Sequence, residues 1–177
     1  MANFAKVSFS NANLDLTDIT QHHADVESSL RDYFKLNPRF IGEPPEKVDQ
    51  LLNECLIEHE QSTVLNLLAS LEAALRIDYL QRCYRKMKDP LSREFRQLHA
   101  KKGPRASLAD EILPAWKDCT SVPPQIISDL KGAFRYRHWL AHGRYWVPKL
   151  GQKYDYVGVS ILAASIYNSF RLERIAS

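Results

Sequence analysis

The segment from Ser62 to Met87 reads STVLNLLASLEAALRIDYLQRCYRKM, and it decides the fold class. Its large apolar residues recur three and four positions apart, which is the spacing of one buried helix face. These residues are Val64, Leu67, Leu68, Leu71, Leu75 and Tyr79. Several alanines between them favour a helical backbone. The segment therefore predicts a long amphipathic helix at the centre of a helical domain.

The flanking segments repeat this pattern between proline and glycine breaks. A first helix is predicted to have Thr17 or Asp18 as its N-cap and to end near Leu36, before the breaker-rich LNPRFIGEPP. A second helical stretch begins at Pro45 and is expected to bend between His59 and Thr63. Further helices are predicted over 92–99, 107–116, 124–142 and 156–175, with an irregular arm or short strand over 1–16. The sequence thus predicts an all-α bundle of five to seven helices.

Length and composition restrict the class of protein further. The 177 residues suffice for one domain with a substantial core, and the net charge of +3 permits a polyanionic partner without requiring one. The three cysteines have no CxxC spacing, which excludes a zinc ribbon and favours free thiols. No signal-peptide pattern and no apolar run of ~18 residues occurs. We therefore expect a cytoplasmic protein without a membrane span.

The ten residues RHWLAHGRYW, from Arg137 to Trp146, combine a permanent cation with two imidazoles. Four residues separate Arg137 from His142, and His138 directly follows the arginine. A guanidinium can bind two phosphate oxygens at once, and an imidazole exchanges protons near neutral pH. The pattern therefore suits chemistry on a phosphodiester. The alternative is that Arg137 and His142 only cap the end of a helix, where cations are favoured.

Arg137, His138 and His142, followed by Gly143 at the end of the penultimate long helix, resemble the motif of the HEPN superfamily of small helical ribonucleases. The resemblance covers residues 45–175 and leaves about the first forty unexplained. It divides the chain into an N-terminal arm with the first helix, residues 1–40, and a HEPN-like helical domain, residues 41–177. Both parts are expected to form one compact domain.

The resemblance implies a metal-independent endoribonuclease that uses the 2′-hydroxyl of RNA as the nucleophile and leaves 2′,3′-cyclic phosphate and 5′-hydroxyl ends. Arg137 would stabilise the phosphorane and His142 would act as base or acid. His138 would orient the site or move a second proton. Glu72 would be the acidic residue that many HEPN proteins present from the preceding long helix. Its alternative is a solvated pair with Arg76, four positions along the same helix.

Residues five positions apart diverge by about 140° on a regular helix, so Arg137 and His142 do not converge through helix geometry alone. Either the helix relaxes before Gly143 or two copies complete the site. HEPN proteins dimerise with their motif helices facing, so the resemblance favours a homodimer with a shared cleft. Arg135 and Arg144 would form the rim of this cleft.

Basic and aromatic residues alternate in the motif, as in surfaces that bind single-stranded RNA. The residues expected to contact RNA are Arg76, Tyr79, Arg135, Arg144 and Tyr145. A second basic run contains Arg82, Arg85, Lys86 and Lys88, and residues 101–105 read as a solvated basic loop. His138 and His142 also have the spacing of two zinc ligands, but no pattern supplies a third, so no metal or cofactor is expected.

By resemblance, such a ribonuclease would be a toxin or an antiviral-defence effector that an antitoxin or another regulatory protein holds in check. Two other functions remain open. One is a non-catalytic HEPN-type module that binds RNA or a protein. The other is a helical scaffold in which Arg137 and His142 are structural.

Overall fold

The central helix begins well before the predicted segment Ser62–Met87, and four of the other helices pack against it. The computed structural model describes residues 4–10, 12 and 14–175, and these form six α-helices and no strand. The predicted all-α class is therefore confirmed. The helices are α1 (Leu16–Leu36), α2 (Pro45–Tyr84), α3 (Pro90–Lys102), α4 (Leu113–Cys119), α5 (Pro124–Ala141) and α6 (Tyr156–Ser169).

The second half of α2 forms the core, as its apolar spacing predicts. All six residues of the predicted stripe, from Val64 to Tyr79, are at most 1% exposed. Helices α3, α5 and α6 pack around this face. Because burial of one large aliphatic side chain contributes about 1.5–3 kcal/mol, this stripe is a main source of the fold's stability.

The polar residues in the middle of α2 do not interrupt the helix. The hydroxyl of Thr63 donates to the carbonyl of His59 over 3.1 Å, and His59 Nε2 lies 3.0 Å from the carbonyl of His23 on α1. Glu60 accepts a hydrogen bond from the backbone N–H of Tyr156 at the start of α6 over 2.9 Å. His59 and Glu60 thus have partners outside α2, and helical structure continues through the predicted bend.

Helix α1 runs antiparallel to the first half of α2. His23 contacts Thr63, whereas Leu14, just before α1, accepts a hydrogen bond from Ser70 further along α2. The N-cap is Asp15, whose side chain accepts from the N–H of Thr17 over 2.7 Å. The prediction of Thr17 or Asp18 as the cap was wrong, because Asp15 lies outside the helix where its carboxylate can reach the free N–H groups.

The structure also refines the predictions for the N-terminal arm, for residues 101–105 and for the helix expected after Ser107. The described residues of the N-terminal arm contain no strand, and the N–H of Val7 donates to the hydroxyl of Tyr84. Lys101 and Lys102 end α3, and a 3₁₀ turn follows over Gly103–Arg105, so this segment is not a simple loop. Ser107 caps a π-helical turn over Leu108–Ile112, which leads into α4.

Helix α6 ends at Ser169 instead of continuing to residue 175. The next residues are extended and bind across α2 through their backbone. The carbonyl of Arg171 accepts from Arg82 over 2.6 Å, and the N–H of Glu173 donates to Asp78 over 2.8 Å. These bonds to buried side chains favour the extended segment over further helix.

His23 makes the packing of α1 on α2 dependent on pH. Its ring is 8% exposed, stacks on His59 and Tyr156, and bonds to Thr63. Burial, followed by the neighbouring His59, lowers the pKa of His23 below its usual value, although Glu27 and Glu60 oppose this shift. A histidine with a lowered pKa in the folded state contributes stability above its unfolded pKa of about 6.5, and loses it as the pH falls through the folded value.

We therefore expect His23→Gln to lose less unfolding free energy than the wild type when the pH falls from about 7.5 to about 5.5. Urea denaturation at both pH values measures this difference. His22→Gln is the matched control, because His22 is exposed on the same helix and should behave like the wild type. An unchanged pH dependence in His23→Gln would show that other groups govern it.

Candidate functional site

The motif lies at the end of α5, which the core holds in place. Ile127, Leu130 and Ala133 are buried beneath the helix. The helix ends at Ala141, His142 is the C-cap, and Gly143 has a φ of 80°. The N–H of Arg144 donates to the carbonyl of Trp139 over 3.2 Å, which is the bond that closes a Schellman motif. The predicted end of the motif helix is thus confirmed at Gly143.

Glu72 on α2 lies against Arg137 on α5. Arg137 Nη1 is 3.4 Å from one carboxylate oxygen of Glu72, and Arg76 Nε donates to the other over 2.9 Å. Arg76 also donates to the carbonyl of Ala106 over 3.2 Å. One carboxylate therefore holds two arginines, and both alternatives considered for Glu72 occur together: it pairs with Arg76 and also contacts the motif.

Arg137 retains hydrogen-bonding capacity beyond its contact with Glu72. Its side chain is 36% exposed, and its Nε atom is buried without a hydrogen-bond partner among the described residues. A guanidinium has five N–H donors, and an acidic neighbour on one side leaves the others available. Nε is enclosed, so an anionic oxygen can approach only the exposed part of the Arg137 side chain.

His138 and His142 form a pair at the end of α5. Their ring centroids are 4.2 Å apart, and both residues are exposed. Within residues 4–10, 12 and 14–175, neither ring makes a hydrogen bond, so their nitrogens are open to solvent or a ligand. Arg137 faces α2 while the two histidines face outward, and no contact among these residues joins Arg137 to His142.

The loop after α5 is held by two contacts that sequence patterns did not indicate. Arg144 forms a two-pronged ion pair with Glu58 on α2, with Nη2 and Oε2 2.9 Å apart. Trp139 Nε1 donates to the carbonyl of Trp146 over 2.6 Å. Glu58 and Arg144 are 86 positions apart, so no local periodicity could link them. Trp139 and Trp146 were visible as motif aromatics, but their mutual contact was not.

The residues expected to bind RNA occupy different environments. Arg135 is exposed, and the ring of Tyr145 is 83% exposed beside Trp146. Arg76 and Arg144 are partly exposed but already paired with Glu72 and Glu58, respectively. The arginine and tyrosine available without rearrangement are therefore Arg135 and Tyr145.

Tyr79 does not belong to this surface, and its assignment to RNA binding was wrong. It is 1% exposed, packs edge-on against Phe95, and donates its hydroxyl to the carbonyl of Gly103 over 2.8 Å. Burial raises the pKa of Tyr79 above its usual value. A ring enclosed in this way cannot stack on a base, because it is part of the core.

Arg82 in the second basic run is also a structural residue. It is 6% exposed and donates to Asp78 over 2.7 Å. A buried guanidinium paired with a buried carboxylate offers no free charge to a phosphate. The prediction that Arg82 belongs to an exposed basic surface was therefore wrong.

Two further features concern metals and membranes. Across the part of the chain that the structure describes, no three or more His, Cys, Asp and Glu side chains come close enough to hold a metal ion. In the same residues, no helix combines the length and apolar character needed to cross a bilayer.

Comparisons with protein-family models, curated proteins and solved structures found no match to this chain. The resemblance to HEPN ribonucleases therefore rests on the motif residues themselves.

Proposed function

We propose that this chain is a HEPN-type, metal-independent endoribonuclease. The observation that carries the proposal is the position of Arg137, which contacts Glu72 across two helices and lies one residue before an exposed histidine pair. An anion-binding group and proton-transfer groups thus occur at one helix end. Phosphodiester cleavage in RNA needs these two kinds of group.

The proposed reaction starts from the nucleophile that RNA already carries. His142 removes the proton of the 2′-hydroxyl, and the 2′-oxygen attacks the adjacent phosphorus. Arg137 donates hydrogen bonds to the oxygens of the phosphorane, where negative charge increases. The bond from phosphorus to the 5′-oxygen breaks, and this oxygen takes a proton from a general acid. The products are a 2′,3′-cyclic phosphate and a 5′-hydroxyl end.

Glu72 is a positioning residue in this reaction. It fixes one edge of the Arg137 guanidinium at the α2 side and leaves other donors free for phosphate. Arg76, which shares the same carboxylate, adds positive charge behind it. The pair of arginines prevents the carboxylate from opposing the approach of an anion.

The histidine pair also bears on the assembly of the site. Rings with centroids 4.2 Å apart contact each other and leave no space for a phosphate between them. His138 and His142 of one copy therefore cannot flank the scissile bond as base and acid in this arrangement. Arg137 faces α2 while His142 faces outward, so one copy does not direct both at one phosphate. We propose that His138 orients His142, and that a second copy of the chain supplies the Arg137 and the general acid that act on the same phosphate. The functional unit would then be a homodimer.

Single-stranded RNA is the proposed substrate, and the exposed ring of Tyr145 is the proposed stacking platform beside the cation of Arg135. Stacking of one base on an aromatic residue contributes about 1–3 kcal/mol, which corresponds to roughly 5- to 150-fold in affinity. We therefore expect Tyr145→Ala to weaken the binding of a short single-stranded RNA by about tenfold. Fluorescence anisotropy at constant salt measures this effect.

Tyr33→Ala provides the control for this prediction, because Tyr33 is 44% exposed on α1 and lies outside the motif. It should bind RNA as the wild type does. Equal affinity of Tyr145→Ala and Tyr33→Ala would exclude Tyr145 as a stacking platform.

The test of the proposed function is cleavage of RNA by the purified protein in EDTA. We expect new 5′ ends that polynucleotide kinase labels without prior phosphatase treatment, because they carry free hydroxyl groups. A DNA strand of the same sequence lacks the 2′-nucleophile and should remain intact. Intact RNA under these conditions would contradict the proposed activity.

The same experiment distinguishes the endoribonuclease from the second candidate function, a non-catalytic HEPN-type module that binds RNA or a protein. The separation of Arg137, which faces Glu72 on α2, from the outward-facing histidine pair favours this candidate, because no contact among the described residues brings Arg137 and His142 together. Salt-sensitive binding without cleavage would support it.

For an active enzyme, the resemblance further suggests a toxin or antiviral-defence effector in the cytoplasm, controlled by an antitoxin or regulatory protein.

A further inference from the structure

Helix α6 is apolar on both sides, although only one side is covered. Its inner face packs Val159, Leu162, Ala163 and Ile166 into the core. No charged residue occurs from Tyr156 to Phe170, so the outer face has none either. A helix that is apolar all round is ordinarily buried all round. The outer face of α6 therefore has the composition of a contact surface.

The outer face has the spacing of a coiled-coil seam. Its residues are Val157, Ile161, Ala164 and Asn168. They follow each other at intervals of four, three and four positions, which places them roughly opposite the buried face at about 100° per residue. Val157 and Ile161 are each 63% exposed, and Ala164 and Asn168 are exposed as well. The seam thus presents two large apolar side chains and a small one in a row.

We propose that this seam binds α6 of a second copy in parallel orientation. An uncharged apolar face matches itself, because neither copy has to bury a charge. The neighbouring α5 is less suitable for self-contact, since its outer positions include Arg135, His138 and His142. Pairing through α6 leaves these residues free for RNA.

The parallel orientation follows from which residues occupy which seam positions. The spacing assigns Ile161 and Asn168 to the a positions and Val157 and Ala164 to the d positions. A β-branched residue at a favours two strands, and a single asparagine at a sets the register of parallel dimers. Asn168 would then hydrogen-bond with its own copy across the two-fold axis.

Parallel pairing also relates the seam to the candidate site. Tyr154, two residues before the start of α6, stacks on Tyr136, which directly precedes Arg137 on α5. Two parallel α6 helices place their starts side by side, and with them the two motif ends. The inference thus rests on the proposed homodimer and names the surface that forms it.

The size of the seam indicates a weak dimer. A helix of 14 residues is about 21 Å long, so its outer half covers roughly half of the ~800 Å² that each partner buries in a standard interface. We therefore expect the mass in solution to depend on protein concentration.

The first test is static light scattering of the full chain without RNA over a range of concentrations. The wild type should rise from 20.4 kDa toward twice this mass. Ile161→Glu should remain at the lower mass, because two carboxylates would meet across the axis. Ile41→Glu is the matched control, since Ile41 is 83% exposed in the turn after α1, and it should associate as the wild type does. A monomeric wild type or a dimeric Ile161→Glu overturns the proposal.

The second test determines the orientation and does not depend on the folding of Ile161→Glu. In a parallel pair, residue 168 faces its own copy, whereas in an antiparallel pair it would face residue 157, about 16 Å along the helix. A disulfide requires Cα atoms within about 7 Å. By the same geometry residue 157 faces its own copy only in the parallel pair, so Val157→Cys, which keeps Asn168, should form a covalent dimer on oxidation, and the wild type is the control for Cys55 and Cys119. Absence of this dimer overturns the parallel pairing.

Neither test measures cleavage, so the two proposals fail separately. A dimer through α6 that leaves RNA intact would overturn the proposed activity and support the interface. A monomer that cleaves RNA would overturn the interface and support the activity.

Discussion

We expect His142→Ala to cleave RNA at least ~100-fold more slowly than the wild type, because general acid–base groups contribute about 10²–10⁴-fold each. The ring of His142 is exposed and makes no hydrogen bond to the described residues. Its removal should therefore change the free energy of unfolding by less than about 0.5 kcal/mol. A large loss of rate without a loss of stability is the signature of a group that acts on the substrate.

Arg137→Ala should cause a loss of similar size for a different reason. Without the guanidinium, the developing charge on the phosphorane has no bidentate donor, which costs roughly 10²–10³-fold for comparable hydrogen-bond donors. Arg137→Lys retains the charge but not the paired donors, so it should recover only part of the rate. Single-turnover cleavage of a labelled RNA in EDTA measures all three variants.

His22→Ala and Arg93→Ala are the matched controls, because both residues are exposed and lie outside the motif. They should cleave at the wild-type rate. If His142→Ala also cleaves at this rate while it remains folded, His142 is not a proton-transfer group. The alternative that Arg137 and His142 only end a helix would then be favoured.

The features that sequence reasoning predicted correctly are those set by local spacing. The buried stripe from Val64 to Tyr79 follows from a 3.6-residue period, and the end of α5 follows from Gly143, which adopts the positive φ that glycine tolerates. Both depend on residues within a few positions of one another. No partner from elsewhere in the chain is needed to recognise them.

The features that were missed depend on contacts between distant segments. Tyr79 shares a helix with Arg76 and Glu72, but only the fold shows that Gly103 and Phe95 enclose its ring. The end of α6 at Ser169 likewise depends on Arg82 and Asp78, about 90 positions earlier in the chain. The helical pattern of the following residues gave no sign of these bonds. Local propensity cannot predict such bonds, because the competing partner is supplied by tertiary structure.

The second large effect concerns stability. We expect the substitution Arg82→Met to lower the free energy of unfolding by about 3–5 kcal/mol. Its partner Asp78 is fully buried, and the two side chains are 2.7 Å apart. Methionine fills similar space but leaves the carboxylate without its cation, and such an uncompensated buried charge is strongly destabilising. The guanidinium also binds Ser92 and the carbonyl of Arg171, so its loss frees the segment after α6.

The pH dependence of this cost identifies Asp78 as its source. Burial raises the pKa of Asp78 to about 6, although the N–H of Glu173 and the charge of Arg82 oppose the shift. A carboxyl group with a raised pKa in the folded state destabilises the fold as the pH rises through that value, and Arg82→Met removes one of the opposing groups. The difference in unfolding free energy between the wild type and Arg82→Met should therefore be larger at about pH 8 than at about pH 5.

Urea denaturation of Arg82→Met, Asp78→Asn and the double variant measures the coupling between the two residues. The double variant should be more stable than Arg82→Met alone, because it no longer buries an unpaired charge. Arg31→Met is the matched control: Arg31 pairs with Glu27 at the same spacing along a helix, but its side chain is 56% exposed, and its loss should cost less than about 0.5 kcal/mol. A similarly small cost for Arg82→Met would mean that Asp78 is protonated or hydrated in the native protein, and that the bonds to the segment after α6 contribute little.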